Sequence, residues 1–460
     1  VVIPILAFPI TAIFAWIIQA RLRDTVQRSL ALGASDLHLE PGGQRFVIRC
    51  RVDGLLRVVA TPPLALKDAL ITRVKVLARM DIAEKRLPQD GRMRFAADAR
   101  AVDLRVSSLP TMHGEKLVLR VLDFQHTRPA LAELGCEDDE LARLHRALGA
   151  SDGMLLMTGP TGSGKTQSLY ACLDWLNRPE VNIATVEDPV EIEVAGINQV
   201  NLNERAGLGF ANSLRALLRQ DPDILMLGEI RDLETAEMAL QAAQTGHLVL
   251  STLHTPDAPS TLARLQHMGV AAHHVAASVR LIVAQRLLRR LCGHCRRPMA
   301  AAQQAQWRQQ LREDDRRALA PWLTPAHALF DPVGCAHCHA GYAGRVGVFQ
   351  VMPVSDALQR LLFEQADRQR LAAQAAQESV RTPARRGARR LVHRLATAAA
   401  RPGHSPAPGT PHINPLRPMA RSTARRTRRA ALHPAAHHPL AGRLALAAGP
   451  APAGPRPDER

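Results

Sequence analysis

Eight consecutive residues, Gly159, Pro160, Thr161, Gly162, Ser163, Gly164, Lys165 and Thr166, have the types and spacing to handle phosphate. The pattern Gly-x-x-x-x-Gly-Lys-Thr carries meaning only between a strand and a helix. "GMLLMT" before it reads as a short buried strand, and "QSLYACLDWL" after it as a helix with an apolar face. The glycines let successive backbone N–H groups turn inward around phosphate oxygens. The following helix adds the positive end of its dipole. Lys165 supplies a cation for the outer phosphates of a nucleoside triphosphate, and the Thr166 hydroxyl is suited to ligate Mg²⁺.

A second element lies in "DPDILMLGEIRD". "ILML" reads as a buried strand with Glu229 just past its end, where loops of a parallel sheet surround phosphate sites. A carboxylate there can orient water toward a terminal phosphate. A surface ion pair with Arg231 is the plainer alternative. Gly228 stands where many phosphate-loop enzymes have Asp. "VEDPVE" crowds Glu187, Asp188 and Glu191 together, a cluster fit to organise Mg²⁺ or water, although acidic turns are common. "TGHLVLSTLHT" sets His247 and His254 on either side of a buried strand. His254 is the candidate to contact the terminal phosphate, and an ordinary solvated or core histidine is an equal alternative.

The chain has seven cysteines, four of them in the pairs Cys292-x-x-Cys295 and Cys335-x-x-Cys338. Four thiolates can close a tetrahedral structural Zn²⁺ site. The 39 residues between the pairs must then loop out. His294, His337 and His339 read as bystanders. A redox role would need a thioredoxin-like setting, which is missing, and paired C-x-x-C spacing suits a reducing compartment better than disulfides.

These residues need a scaffold, and 460 residues provide for two or three domains. Residues 1–20 carry no charge and precede "RLR", which reads as a membrane segment, a buried helix or a gene-model artefact. Residues 21–125 read as a small α/β domain with a hairpin turning at Asp53-Gly54. Residues 126–380 alternate strands and helices, implying a mostly parallel sheet, with the cysteine module inserted at 291–342. From residue 381 the text turns to Arg, Pro, Ala and His. That tail holds 16 Arg, no Lys and two acids, so it carries +14 of the net +17 and leaves +3 for residues 1–380. The tail reads as disordered, through a shifted reading frame or as a genuine basic extension. A near-neutral body with few aromatic residues argues against nucleic acid as the partner.

Together, "GASDLHLEP", "RLPQDGRMRF", "VDLRVSSLPT", "GPTGSGKT", "VEDPVE", "LRQDPDILMLGEIRD", "TGHLVLSTLHT" and "AQRLLRRLC" resemble the secretion ATPase superfamily of type II secretion and type IV pilus assembly. The resemblance covers residues 24–380 and looks nearest to the pilus assembly (extension) ATPases. It implies a RecA-like phosphate-loop ATPase domain, a smaller PAS-like α/β amino-terminal domain and an inserted zinc module. It implies a cytoplasmic homo-hexamer, peripheral at the inner membrane, that hydrolyses ATP with Mg²⁺. Its partners would be an inner-membrane platform protein and, indirectly, pilins or pseudopilins. Lys165 and Thr166 match the phosphate-loop positions, Glu229 the catalytic glutamate, Glu187 and Asp188 the acidic box, and His247 and His254 the histidine box. Gly228 is the residue usual in this family. Arg92 and Arg105 match amino-domain arginines that close onto bound nucleotide. The competing expectations are a nucleic-acid translocase and an inactive remnant of such a motor.

Overall fold

A computed structural model of the chain describes residues 7–97, 100–122, 129–310, 313, 329–378 and 380. The basic tail read from residue 381 onward and residues 123–128 lie outside the described residues.

Two sheets organise what is described. The first has six antiparallel strands: β1 (Asp36–Pro41), β2 (Phe46–Val52), β3 (Leu55–Ala60), β4 (Gln89–Ala97), β5 (Arg100–Thr111) and β6 (Gly114–Val121), in the order β3-β2-β1-β6-β5-β4. Alternation drives it. In β2, Phe46, Ile48, Cys50 and Val52 are buried while the residues between them are not. The buried face packs on α1 (Ala7–Ala31) and α2 (Lys67–Leu77). The β2–β3 hairpin turns at Asp53 (φ 51°) and Gly54 (φ 85°), two left-handed residues as the Asp-Gly pair predicts. The other face is charged. Glu40 accepts from Arg49 at 2.6 Å and lies 2.9 Å from Lys116, and Asp36 accepts from Arg120 at 3.1 Å.

The apolar start is part of α1. Among the described residues no helix is long and apolar enough to cross a membrane, and the expected segment at residues 1–20 lies partly outside them. Charges at Arg21, Arg23 and Asp24 break the run, and from Ile18 the helix turns amphipathic, burying Ile18, Leu22 and Val26 at i, i+4 and i+8.

The second sheet has seven strands: β7 (Gly153–Thr158), β8 (Ile183–Glu187), β9 (Ile197–Asn201), β10 (Ile224–Leu227), β11 (Leu248–Leu253), β12 (Val279–Leu291) and β15 (Tyr342–Pro353). Their order is β15-β12-β7-β11-β10-β8-β9, parallel throughout except for β15 against β12. Strands β7, β8, β10 and β11 are buried at every position, as expected for a sheet covered on both faces. One face carries α3 (Asp138–Leu148) and α4 (Lys165–Leu176). The other carries α5 (Phe210–Leu217), α6 (Leu233–Gln244), α7 (Ala258–His267) and α8 (Ala272–Ser278). The cysteine segment holds β13 (Arg297–Pro298), α9 (Ala301–Gln310) and β14 (Phe330–Asp331), and it sits at the tip of the long β12–β15 hairpin. Two last helices, α10 (Asp356–Phe363) and α11 (Arg368–Gln377), return to the α5–α8 side.

Candidate phosphate site

β7 ends at Thr158, and the phosphate loop turns directly into α4 at Lys165. Two glycines in the loop have no substitute. Gly159 has φ 145°, and a Cβ there would sit 2.5 Å from the carbonyl oxygen of Gln285 and 2.6 Å from Ser163 Oγ. Gly164 has φ 89°, and a Cβ would meet Gln285 Nε2 at 2.9 Å. Gln285, on β12, also accepts from Ser168 Oγ of α4 at 2.8 Å, so one side chain fixes the loop's base and the helix it feeds.

The loop's polar groups point to an anion. Lys165 is buried, and its Nζ donates to the Gly159 carbonyl at 2.9 Å. Burial pushes the ammonium below its usual range, while the charge of Glu229 pulls it back up. Ser163 Oγ is buried with no protein partner. An orphaned hydroxyl, a buried cation and a helix N-terminus around a glycine-lined turn fit phosphate oxygens. Pro160, Thr161, Gly162 and Thr166 complete this turn.

Glu229 stands two residues beyond β10, as its spacing predicts. Arg231 Nε donates to its Oε1 at 2.7 Å, and His254 Nε2 lies 3.2 Å from its Oε2. Arg231 also reaches Asp188 Oδ2 at 3.4 Å. Glu229 is thus paired with Arg231, as the plainer reading has it, and stands at the phosphate-loop end of the sheet. His247 is not with it. That ring precedes β11, at the opposite end from the phosphate loop, and its Nδ1 lies 3.0 Å from the Ala242 carbonyl.

The acidic turn after β8 divides its labour. Glu187 is buried and takes hydrogen bonds from Tyr170 Oη at 2.5 Å, Thr185 Oγ1 at 2.7 Å and Gln199 Nε2 at 3.2 Å. Three protein donors hold it from within the fold, while the acidic cluster leads one to expect a carboxylate open to Mg²⁺ or water. Asp188 is exposed. Burial, with the charge of Glu187, holds the Glu191 carboxyl above its usual range against the opposing charges of Arg120 and Arg105. Those two arginines are cross-strand partners on the six-stranded sheet, and Arg92 faces Arg105 from β4. The sequence reading missed Tyr170, Gln285 and Arg120. Gln285 stands in "AQRLLRRLC", which the reading used only for the resemblance, and the apolar setting of Tyr170 marks a hydroxyl in need of a partner.

The four cysteines converge. Their Sγ atoms all lie within 4.8 Å of one another, with Cys295–Cys338 at 3.5 Å, Cys335–Cys338 at 3.7 Å and Cys292–Cys335 at 3.8 Å. Thiolates at ~2.3 Å from a tetrahedral Zn²⁺ are ~3.8 Å apart, so the set fits that ion. The N–H groups of Gly334 and Cys335 donate to Cys295 and Cys338 sulfurs, each at 3.2 Å. His294 and His337 stack on each other, with ring centroids 4.7 Å apart, and neither belongs to the sulfur cluster.

Comparison with known proteins agrees with this picture. The chain is 49% identical over 348 residues to the type IV pilus assembly ATPase PilB of Acinetobacter baylyi, covering 75% of this chain and 59% of that protein. It is 45% identical over 354 residues to the type II secretion system ATPase E of Vibrio cholerae, covering 77% and 68%. The chain thus spans about 60% of the length of the PilB relatives it matches. Among solved structures it resembles the pilus retraction motor PilT with bound ADP (TM-score 0.54, 23% identity, 83% of this chain and 97% of that one). It also resembles the ATPase DotB of Legionella pneumophila (TM-score 0.56, 21% identity, 81% and 93%). At such identities the likeness concerns the fold, an α/β sheet with a second, smaller domain. Residues 14–401 match the family described as Type II/IV secretion system protein, running past the boundary at 381 read from composition, and the chain belongs to that family.

Proposed function

We propose that this chain is the subunit of a motor that hydrolyses ATP to ADP and phosphate to drive type IV pilus assembly or type II secretion. The observation that carries this reading is the pairing of Glu229 with His254 at the same end of the central strands β7, β11 and β10 as the phosphate loop. Loop N–H groups and Lys165 hold the phosphates. Thr166 would hold Mg²⁺, which when bound screens the phosphate charge. Glu229 orients the attacking water, and His254 and Arg231 fix the carboxylate's two oxygens. Asp188 borders the site, Glu187 holds the acidic turn from within, and Arg92 and Arg105 close onto the nucleotide from the amino-terminal domain. The domain limits proposed are 21–125 and 126–380, with a Zn²⁺ module at 291–342.

The working assembly is a homo-hexamer at the cytoplasmic side of an inner membrane, acting through a platform protein on pilins or pseudopilins. What supports a role in such a machine is the likeness to proteins named for type IV pilus assembly and type II secretion. The test is Mg²⁺-dependent ATP hydrolysis by the purified chain, lost in Lys165→Ala. Absence of hydrolysis in the intact chain would favour the inactive remnant, and stimulation by DNA the translocase.

A further inference from the structure

We propose that Thr158 is a positioning residue, whose buried hydroxyl fixes the backbone on both sides of His254 and so aims that ring at Glu229. Thr158 is the last residue of β7 and pairs in register with Leu253, the last of β11. His254 is the first residue beyond this ladder, and its side chain is half exposed, so neither strand pairing nor close packing aims it. The Thr158 hydroxyl takes over where the ladder stops. It donates to the Leu253 carbonyl at 3.1 Å and accepts from the Thr255 N–H at 3.1 Å. Those groups belong to the two peptide planes that flank His254, and their rotation is the whole backbone freedom of that residue. With both held by one oxygen, the direction of the His254 Cβ is set, and its Nε2 reaches Glu229 Oε2 at 3.2 Å. This role rests on the ATP-hydrolysing reading of Glu229 and His254.

The hydroxyl is itself held. Thr158 Oγ1 lies 2.5 Å from Thr255 Oγ1, which lies 2.7 Å from Thr261 Oγ1 of α7, and all three residues are buried. One set of protons satisfies the chain: Thr158 gives its proton to Leu253, Thr255 to Thr158, and Thr261 to Thr255. Water does not compete for these bonds, which makes the support stiff. A threonine that only fills a core needs one acceptor for its proton. This one also satisfies a backbone donor just past the end of a strand. Its neighbour in the chain is Gly159, whose carbonyl takes Lys165 Nζ at 2.9 Å, so the group that aims His254 and the loop that grips phosphate share one peptide.

The test uses the full chain with Thr158→Val, which keeps the shape and loses the hydroxyl, and Thr158→Ser, which keeps the hydroxyl. Thr158→Val should lower kcat about fivefold, while the Kd of a fluorescent ATP analogue changes by less than about twofold. Thr158→Ser should restore most of the turnover. A general core defect would add its loss to that of His254→Ala, whereas a residue acting through His254 should cost nothing further once that ring is gone. Backbone hydrogen exchange reads the same bracket without any turnover. Residues 253–256 should exchange at least about tenfold faster in Thr158→Val and near the original rate in Thr158→Ser. In the unaltered chain the Thr255 N–H, though past the strand, should exchange as slowly as those of β11, a readout that stands even if the valine variant folds poorly. Should the intact chain hydrolyse no ATP, the catalytic reading falls, and exchange alone decides what Thr158 holds. Normal kcat in Thr158→Val, full additivity with His254→Ala, or a freely exchanging Thr255 N–H would overturn the proposal.

Discussion

His254 presents Nε2 to Glu229 Oε2 at 3.2 Å while Arg231 holds the other oxygen of the same carboxylate. The carboxylate cannot rotate freely, and a fixed carboxylate is what orienting a water requires. Glu229→Gln is expected to lower turnover by ~100-fold or more while nucleotide binding persists, since positioned acid–base groups contribute about 10²–10⁴. His254→Ala, which removes only a support, should cost roughly tenfold, well short of that range. Single-turnover hydrolysis and binding of a fluorescent nucleotide separate the effects. Equal loss of binding in both variants would contradict the assignment.

Tyr170→Phe probes the buried side of the acidic turn. Burial and the neighbouring Glu187 push the Tyr170 hydroxyl far above its usual range, so it stays a donor at any working pH. Its removal leaves Glu187 one donor short, at a cost of about 1–3 kcal/mol in urea unfolding. An unchanged midpoint would mean that the bond is not held in solution.

Arg105→Ala and Arg92→Ala should slow turnover with little change in melting temperature. Both side chains lie on the charged face of their sheet, outside its core. Wild-type hydrolysis by a normally stable Arg105→Ala protein would remove them from the reaction.

Metal analysis of freshly purified chain should find one Zn²⁺ per subunit, bound by Cys292, Cys295, Cys335 and Cys338. Cys335→Ser should release it and loosen the hairpin tip, because metal binding supplies folding free energy. Protease cleavage within 292–338 is the readout, and protein free of zinc yet resistant there would count against the site.

Glu40 gives a pH signature. Burial works against its charge, but the hydrogen bonds from Arg49 and Lys116 prevail and hold the carboxyl at about 2. A folded value below the unfolded ~4.3 means stability that is complete above the unfolded value and lost as pH falls toward 2. Glu40→Gln should therefore cost roughly 2 kcal/mol at neutral pH and progressively less between pH ~4 and ~2. A constant difference across that range would show that the ion pairs are not its source.

Much of this was legible in the sequence. The phosphate loop, Glu229 and the four cysteines are local patterns, and local patterns carry their own geometry. The Asp53-Gly54 turn announced its hairpin for the same reason. What stayed hidden depended on partners distant in the chain. Glu187 and Asp188 are adjacent and look alike as text, yet Glu187 is the last residue of the wholly buried β8 and Asp188 lies just past its end, exposed. His247 and His254 share a motif, but six residues of extended β11 carry them to opposite ends of the sheet. Gln285 escaped notice because its role comes from lying beside Gly159, more than a hundred positions earlier.

β12 has a mechanical meaning. Its Ala284 pairs with Thr158, Gln285 supports the phosphate loop, and seven residues later the same strand delivers Cys292 to the hairpin tip. Beside that tip, Gly344 N–H of β15 donates to Asp53 Oδ2, in the turn of the amino-terminal hairpin, at 2.9 Å. Those seven residues span about 23 Å if extended, and the one irregularity in their pairing with β15 falls between Arg289 and Leu291. The strand thus behaves as a tie rod with a single joint near its far end: a shift at the nucleotide loop is carried along β12 as far as that irregularity, next to the cysteines and to the Asp53 contact with the other sheet.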